Sequence, residues 1–490
     1  MNYDEIKKAE TIPEASSMIE TFRAIGYSLE TAIADIIDNS ISANAKNIYI
    51  NRVWKGGKSI ISIKDDGIGM SDEDIIKAMR PGTQNPLSER TDTDLGRFGL
   101  GLKTASFSQC RTLSVLSKLN NLKPAFWSWD LDYVSKSNKW EVLQWIPDDF
   151  SNDLDDLHSG TLVLWSNLDK IVSLQTSEND ENAKQKFSSA LDKVKKHVAM
   201  TFHRFIEEKI VKIFWGEHEI EAWNPFCINE AKTQAQPDEN IIGGAKMKGY
   251  VLPHKNNFSS EQAYKIAEGV NGYPTMQGFY VYRGKRLLLA GDWLGLFRKE
   301  EQYKLVRIQM DLPNKLDTEW QIDIKKSKAN PPAVCRDQLE SYAKSVRNIG
   351  MEVYRHRGKI LKQRAGQTFQ PLWLEKKKDN KWSFVVNREH LIIQNLKNQA
   401  KEKPEQAIET LLCFIEESIP TSAIYIKKAE DKEEKEILPF SDVDMAVIKQ
   451  ILLDMFKNQV QQGKTHEQAK AILKTIEPFN NYEDLIEDLR

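Results

Sequence analysis

Asp35 and Asn39 stand four residues apart in LETAIADIIDNSISA, residues 29–43. On a helix that spacing places both on one face, a turn apart. A carboxylate there can orient or deprotonate a water. The amide oxygen can ligate a hard cation such as magnesium, which prefers oxygen donors and keeps several waters. DDGIGM follows at 65–70. An aspartate at Asp65 can accept a hydrogen bond from an exocyclic amine such as that of adenine. Gly67 and Gly69 let the backbone pass close beneath a flat base. GRFGLGLKT comes next, at 96–104. A glycine-rich junction between loop and helix offers backbone N–H groups and a positive dipole to phosphate, and Lys103 reads as a phosphate contact. Leu102 separates Gly101 from Lys103, so the P-loop pattern fails. The order G-x-x-G-x-G is not the dinucleotide fingerprint either. Each segment alone also has a plainer meaning: a surface helix, an acidic turn, a helix-packing loop.

The surrounding pattern says what must hold these residues. Leu29, Ile33, Ile36 and Ile37, with Ala32, recur at helical spacing and form an apolar stripe, with Asp35 and Asn39 roughly opposite. Asn47–Trp54 and Ser59–Lys64 alternate and read as paired strands separated by Gly56 and Gly57, so Asp65 falls at a strand end. Ser71 is a suitable N-cap for a helix with Asp72, Glu73 and Asp74 in its first turn. Residues 81–95 are polar with two prolines, a loop long enough to serve as a functional lid. A helix through Ser108 is followed by four strand candidates: Thr112–Ser117, Ala125–Tyr133, Trp140–Trp145 and Thr161–Trp165. This order predicts an α+β layer with helices against a mixed sheet. Residues 181–208 read as a long helix carrying Lys193, Lys195, Lys196 and His197. In GFYVYRGKRLLLAG, 278–291, Tyr280 and Tyr282 alternate ahead of a turn at Arg283–Arg286. A strand over 306–313, a long basic helix over 334–364 and a mostly helical tail complete the pattern.

The chain has 490 residues and a formal net charge of −2, which predicts two or three domains and no global attraction to nucleic acid or membrane. No apolar run approaches the roughly 18 residues of a membrane span, and MNYDEIKKAE lacks a signal-peptide core. Cys110, Cys227, Cys335 and Cys413 form no C-x-x-C pair, which argues against a zinc site or disulfide framework and for a reducing compartment. A cytoplasmic protein is expected.

The three motifs, in this order and spacing, resemble the GHKL ATPase superfamily of gyrase B subunits, MutL, ninety-kilodalton heat-shock chaperones, sensor histidine kinases and MORC proteins. The resemblance implies a GHKL sandwich that binds ATP and Mg2+. It places the general base at Asp35 and the magnesium ligand at Asn39. It places nucleotide contacts at Asn39, Asp65, Gly67, Gly69 and Met70, at Gly96, Phe98, Gly99, Leu100, Gly101, Leu102 and Lys103, and at Thr161. Most members carry glutamate where this chain has Asp35. Asp38 is the adjacent acid, and helical geometry points it away from Asn39.

Fewer than 30 residues precede the Asp35 helix and none is His, which argues against the sensor-kinase branch. The chain is most similar to prokaryotic MORC-like ATPases. That implies a GHKL domain with an N-terminal arm at 1–175, a ribosomal-protein-like transducer domain at 176–335, and a long helix with a mostly helical C-terminal region at 336–490. Lys325 or Lys326, in WQIDIKKSKANPP, would reach the terminal phosphate. The implied protein is a homodimer that closes as a clamp on ATP binding and acts on DNA, within a bacterial defence or restriction-like system. Lys193–His197, Arg283–Arg286 and Arg355–Lys362 are candidate DNA contacts. The other reading is a nucleotide-sensing dimeric scaffold with little turnover, recruiting an effector protein through residues 370–490.

Overall fold

The computed structural model describes residues 6–9, 11–24, 26–82, 101–120, 122–313, 316, 319–320, 329–360, 373–378, 381–389, 393, 404–419, 445–474 and 483–489. The chain divides into two compact units, Met1–Arg364 and Ala365–Arg490.

The first unit holds two sheets. Helix α1 (Ala15–Arg23) precedes α2 (Leu29–Ser42), which Ser28 caps by accepting from the Thr31 N–H. That bond satisfies one of the four donors a helix start leaves open. Strands β1 (Asn47–Val53) and β2 (Ile60–Asp65) form the expected antiparallel pair. Ser71 caps α3 (Asp72–Met79) as its sequence predicts, and α4 (Gly101–Phe107) follows. Next come β3 (Thr112–Lys118), β4 (Ala125–Asp130), α5 (Leu131–Ser137) and β5 (Gly160–Ser166). Then α6 (Glu181–Thr201) and α7 (His203–Glu207) lead to β6 (Lys212–Trp215) and β7 (His218–Glu219). The seven strands are ordered β4-β3-β5-β2-β1-β6-β7. β1 and β6 run parallel, and the other neighbours are antiparallel.

Three expectations change here. β4 stops at Asp130, not Tyr133, because the Asp130 carboxylate accepts from the N–H groups of Asp132 and Tyr133 and starts α5. Trp140–Trp145 forms no strand and pairs only through a Ser128–Leu143 bridge. The core of this layer also runs past residue 175. Phe187, Leu191, Val194 and Val198 of α6 and Ile213 of β6 pack into it with Ile33, Ile37 and Ile48. The alternation seen locally could not show that β6 would pair with β1, more than 150 positions earlier.

The second sheet contains β8 (Gln234–Asn240), β9 (Lys246–Val251), β10 (Gly278–Arg283), β11 (Arg286–Asp292) and β12 (Val306–Leu312), ordered β11-β10-β12-β9-β8. Helix α8 (Glu261–Ala267) lies between β9 and β10 in sequence. Helix α9 (Ala333–Ile360) packs Leu339, Ala343 and Val346 against Val306, Ile308 and Met247. Met200 at the end of α6 joins Tyr280, Tyr282 and Leu287 of the β10–β11 hairpin in a separate cluster, which ties the two layers.

The second unit holds a hairpin of β13 (Trp373–Lys378) and β14 (Lys381–Val386) and helices α10 (Pro404–Ser418), α11 (Met445–Gln461), α12 (His466–Lys474) and α13 (Glu483–Glu487). Ile448, Leu452 and Phe456 of α11 pack with Ala469 and Leu473 of α12 and Ile486 of α13. Among the described residues no helix is long and apolar enough to cross a membrane.

Candidate nucleotide site

Helix α2 is buried nearly all round, not along one stripe: Ala34, Asp35, Asp38 and Ser40 are as inaccessible as Ile33 and Ile37. Its polar side is only partly open to solvent, with Asp35, Asp38 and Ser40 buried and Asn39 exposed. It packs on α4 and on the second sheet's hairpin. Asp35 is 4% exposed. The Tyr27 hydroxyl donates to its Oδ2 at 2.9 Å, and Arg286 Nη2 lies 3.7 Å from its Oδ1. A Cβ added at Gly101 would stand 3.8 Å from Oδ2. The carboxylate is therefore next to Gly101, the first described residue of α4. Asn39, one turn on, is exposed.

Asp65 closes β2 with its side chain buried. Ser40 donates to Oδ2 at 2.7 Å, and the Gly67 N–H to Oδ1 at 2.9 Å. Burial raises its carboxyl above the usual range against those two lowering bonds. Gly69 has φ +73°, and any Cβ there would run into the Lys118 carbonyl. Only glycine lets the chain turn this close to β3. Thr161 pairs with Asp65 across β2 and β5. Ser117 of β3 links the neighbouring parts: it accepts from the Met70 N–H at 2.8 Å, donates to the Gly160 carbonyl at 3.0 Å, and lies 2.9 Å from Thr161 Oγ1. Lys103 of α4 is 2% exposed and donates to the Ala78 carbonyl at 2.9 Å. Burial brings its ammonium down to about 8.

The fold thus brings Asp35 beside Gly101, and Asp65 beside Gly67 and Thr161, with Met70 tied to Ser117. Leu102 is partly buried against the first core. Gly96, Phe98, Gly99 and Leu100 of the glycine box, and Lys325 and Lys326, lie outside the described residues. Tyr27, Ser40, Ser117 and Arg286 were not read as part of the site. Ser40 adjoins Asn39, and Tyr27 lies eight residues before Asp35, but neither forms a motif. Ser117 sits in a strand that reads only as apolar alternation. The Arg283–Arg286 turn is not the DNA contact its sequence suggests, since Arg283 and Arg286 are 6% and 3% exposed and cannot offer charge to a phosphate backbone.

The family model described as histidine kinase-, DNA gyrase B- and HSP90-like ATPase matches residues 27–161. Over these residues the chain is similar to this ATPase family. The match spans α2, the Asp65 turn, α4 and the start of β5, the elements that hold the site. The chain is also similar to ATPase morc-1 of Caenorhabditis elegans, 26% identical over 121 residues, covering 25% of this chain and 14% of that protein. It is 44% identical over 62 residues to the DNA mismatch repair protein MutL of Clostridium beijerinckii, covering 13% and 9%. The aligned part is thus at most about a seventh of either relative's length. A solved structure of the ATPase and transducer domains of DNA topoisomerase II from Balamuthia mandrillaris aligns with TM-score 0.37 and 9% identity, over 68% of this chain and 86% of that one.

Proposed function

We propose that this chain binds ATP with magnesium and hydrolyses it, with Asp35 as general base. The observation that carries the reading is the position of Asp35: Oδ2 abuts Gly101 at the glycine-rich junction, and Asn39 opens outward one turn away. The donor set fits the nucleotide. Asp65, fixed by Ser40 and the Gly67 N–H, supplies an acceptor for an amine such as that of adenine. Lys103 is a buried cation on α4 that donates to the Ala78 carbonyl, and its charge and place two residues after Gly101 suit a phosphate contact. Among the described residues no group of three or more His, Cys, Asp or Glu could hold a metal. Asn39 would then be the protein ligand, with phosphate and water as the others. Magnesium bound there would neutralise phosphate charge. Asp35 would accept the proton of the attacking water, Tyr27 would fix its orientation, and Lys103 would hold the phosphate.

In this reading nucleotide binding closes a homodimeric clamp. The similarity to a DNA mismatch repair protein supports DNA as what the clamp acts on, and exposed Lys193 and Lys196 on α6 supply charge for it; the proposed setting is a bacterial defence or restriction-like system. Lys325 or Lys326 would complete the phosphate contacts. The test is turnover by wild type, Asp35→Ala and Asp35→Glu, with and without duplex DNA. Loss in Asp35→Ala and stimulation by DNA are expected; unchanged turnover in Asp35→Ala would remove Asp35 as base.

A second reading, a sensing scaffold with little turnover, is favoured by the exposed apolar Ile408 and Leu412, one turn apart on α10, a face suited to an effector protein. Nucleotide-dependent dimerisation without turnover would support it.

A further inference from the structure

Arg286 belongs to the second sheet, yet its side chain is buried against the helix of the first. It opens β11 directly after the turn at Gly284 and Lys285. Its Nε donates to Asp38, 3.0 Å from Oδ2 and 3.2 Å from Oδ1. Nη1 donates to the Leu287 carbonyl at 2.8 Å. Nη2 is left facing Asp35 Oδ1 at 3.7 Å, longer than a hydrogen bond but close for two charges screened by little solvent. Asp38 follows Asp35 by three positions, so one guanidinium spans both carboxylates on one side of α2.

The turn that carries Arg286 is itself held to the α6–α7 corner. Arg204 donates to the Gly284 carbonyl at 3.3 Å, Lys285 pairs with Glu208, and the Arg286 guanidinium lies 5.8 Å from the centre of the Phe202 ring. Asp35 is therefore held from two directions. Tyr27, just before α2 in sequence, holds Oδ2 on the side nearest Gly101. Arg286, from the second sheet, faces Oδ1.

We propose that Arg286 is a positioning residue that couples the second sheet to hydrolysis. Anchored on Asp38, it keeps Asp35 turned with Oδ2 toward Gly101. A shift of the β10–β11 hairpin is then read as a change in turnover, not in nucleotide affinity. This rests on the reading of Asp35 as base. Among the described residues, the hydrogen-bond, ion-pair and ring partners of the Arg286 side chain are Asp38, Asp35, the Leu287 carbonyl and the Phe202 ring, none of them assigned to the adenine or phosphates, so the effect falls on the rate.

The experiment measures steady-state ATP turnover, together with affinity for a non-hydrolysable ATP analogue, in the full chain. Removing Arg286 alone leaves two buried carboxylates facing each other and endangers the fold. The main variant is therefore the double exchange Asp38→Asn with Arg286→Gln, which replaces an ion pair by an amide pair at equal net charge. Arg286→Lys and Asp35→Asn accompany it. The double variant is expected to lose tenfold or more in kcat, with KM and analogue affinity within twofold of wild type. Arg286→Lys, which keeps the charge but not the fork, is expected to retain more turnover than the double variant. A double variant with kcat within twofold of wild type, or one losing affinity in step with kcat, would overturn the coupling. Lost turnover in Asp35→Asn beside a normal double variant would overturn the coupling alone. Retained turnover in Asp35→Asn would overturn the base assignment and the coupling with it.

Discussion

Lys103 and Asp65 are the two residues whose ionisation is displaced in ways a nucleotide would exploit. Lys103 is brought down to about 8 by burial. A phosphate placed beside it favours the charged form. Binding should therefore take up a proton at pH 8 to 9, and little below pH 7, where Lys103 is already charged. Calorimetry in buffers of differing ionisation enthalpy should show the uptake in wild type and none in Lys103→Met. Asp65 has its carboxyl raised, chiefly by burial. A folded-state value above the unfolded one means that the native state binds the extra proton, so stability falls as pH rises through that interval. Asp65→Asn should remove this cost and raise Tm at neutral pH. It should also remove the charged acceptor proposed for the adenine amine and weaken ATP binding at least about tenfold, since hydrogen bonds to charged groups are worth roughly 1.5–3 kcal/mol. A variant that is both less stable and equally tight would contradict this account.

At the scale of elements, the site depends on where helices stop and where strands allow close approach. Arg23, at the end of α1, donates to the Phe107 and Cys110 carbonyls at 2.8 and 2.9 Å and pairs with Asp169 at 2.6 Å. It holds the end of α4 while the start of α4 faces Asp35. Arg23→Met keeps much of the packing but leaves those carbonyls and Asp169 without their donor. Removing one partner of a buried pair costs about 3–5 kcal/mol; Asp169 is partly open to solvent, so a smaller loss is expected, which urea unfolding should detect as a lower midpoint. Gly69→Ala should be destabilising as well, by at least about 1 kcal/mol from its positive φ alone. The Lys118 carbonyl must also move to admit the methyl group. Its ATP affinity should fall with its stability, because Met70 and Ser117 lie on the displaced backbone.

For the whole molecule, the decisive property is assembly. A chain of 56.4 kDa should double its mass in light scattering when a non-hydrolysable ATP analogue is added, and Asp65→Asn should need more analogue to do so. If DNA lies along α6, exchanging both Lys193 and Lys196 for glutamate should reduce the slope of log affinity against log salt by about 2, since each phosphate contact contributes about 0.9. An unchanged slope would move the DNA surface elsewhere. Arg283 and Arg286 are not alternatives, because both are buried.

The nucleotide motifs were legible in the sequence because each depends on local spacing. Four residues on a helix set Asp35 and Asn39, and a strand end set Asp65. Ser71 and the acidic residues behind it fixed the start of α3. The α+β class also followed from the order of helix and strand patterns. What spacing could not show was which distant segments meet. Nothing in β11 indicates that Arg286 reaches α2, 248 positions from Asp38. Its neighbours Arg283 and Lys285 made the turn look like a solvated basic loop. Only the packing of the second sheet against α6 brings it inward, and only there does a carboxylate on α2 acquire a cation. The sequence alone determined the local positions of Asp35 and Asn39 on one helix and of Asp65 at a strand end. The tertiary structure decided that Asp35 would be enclosed between Tyr27 and Arg286, because burial joins charges that the chain keeps far apart.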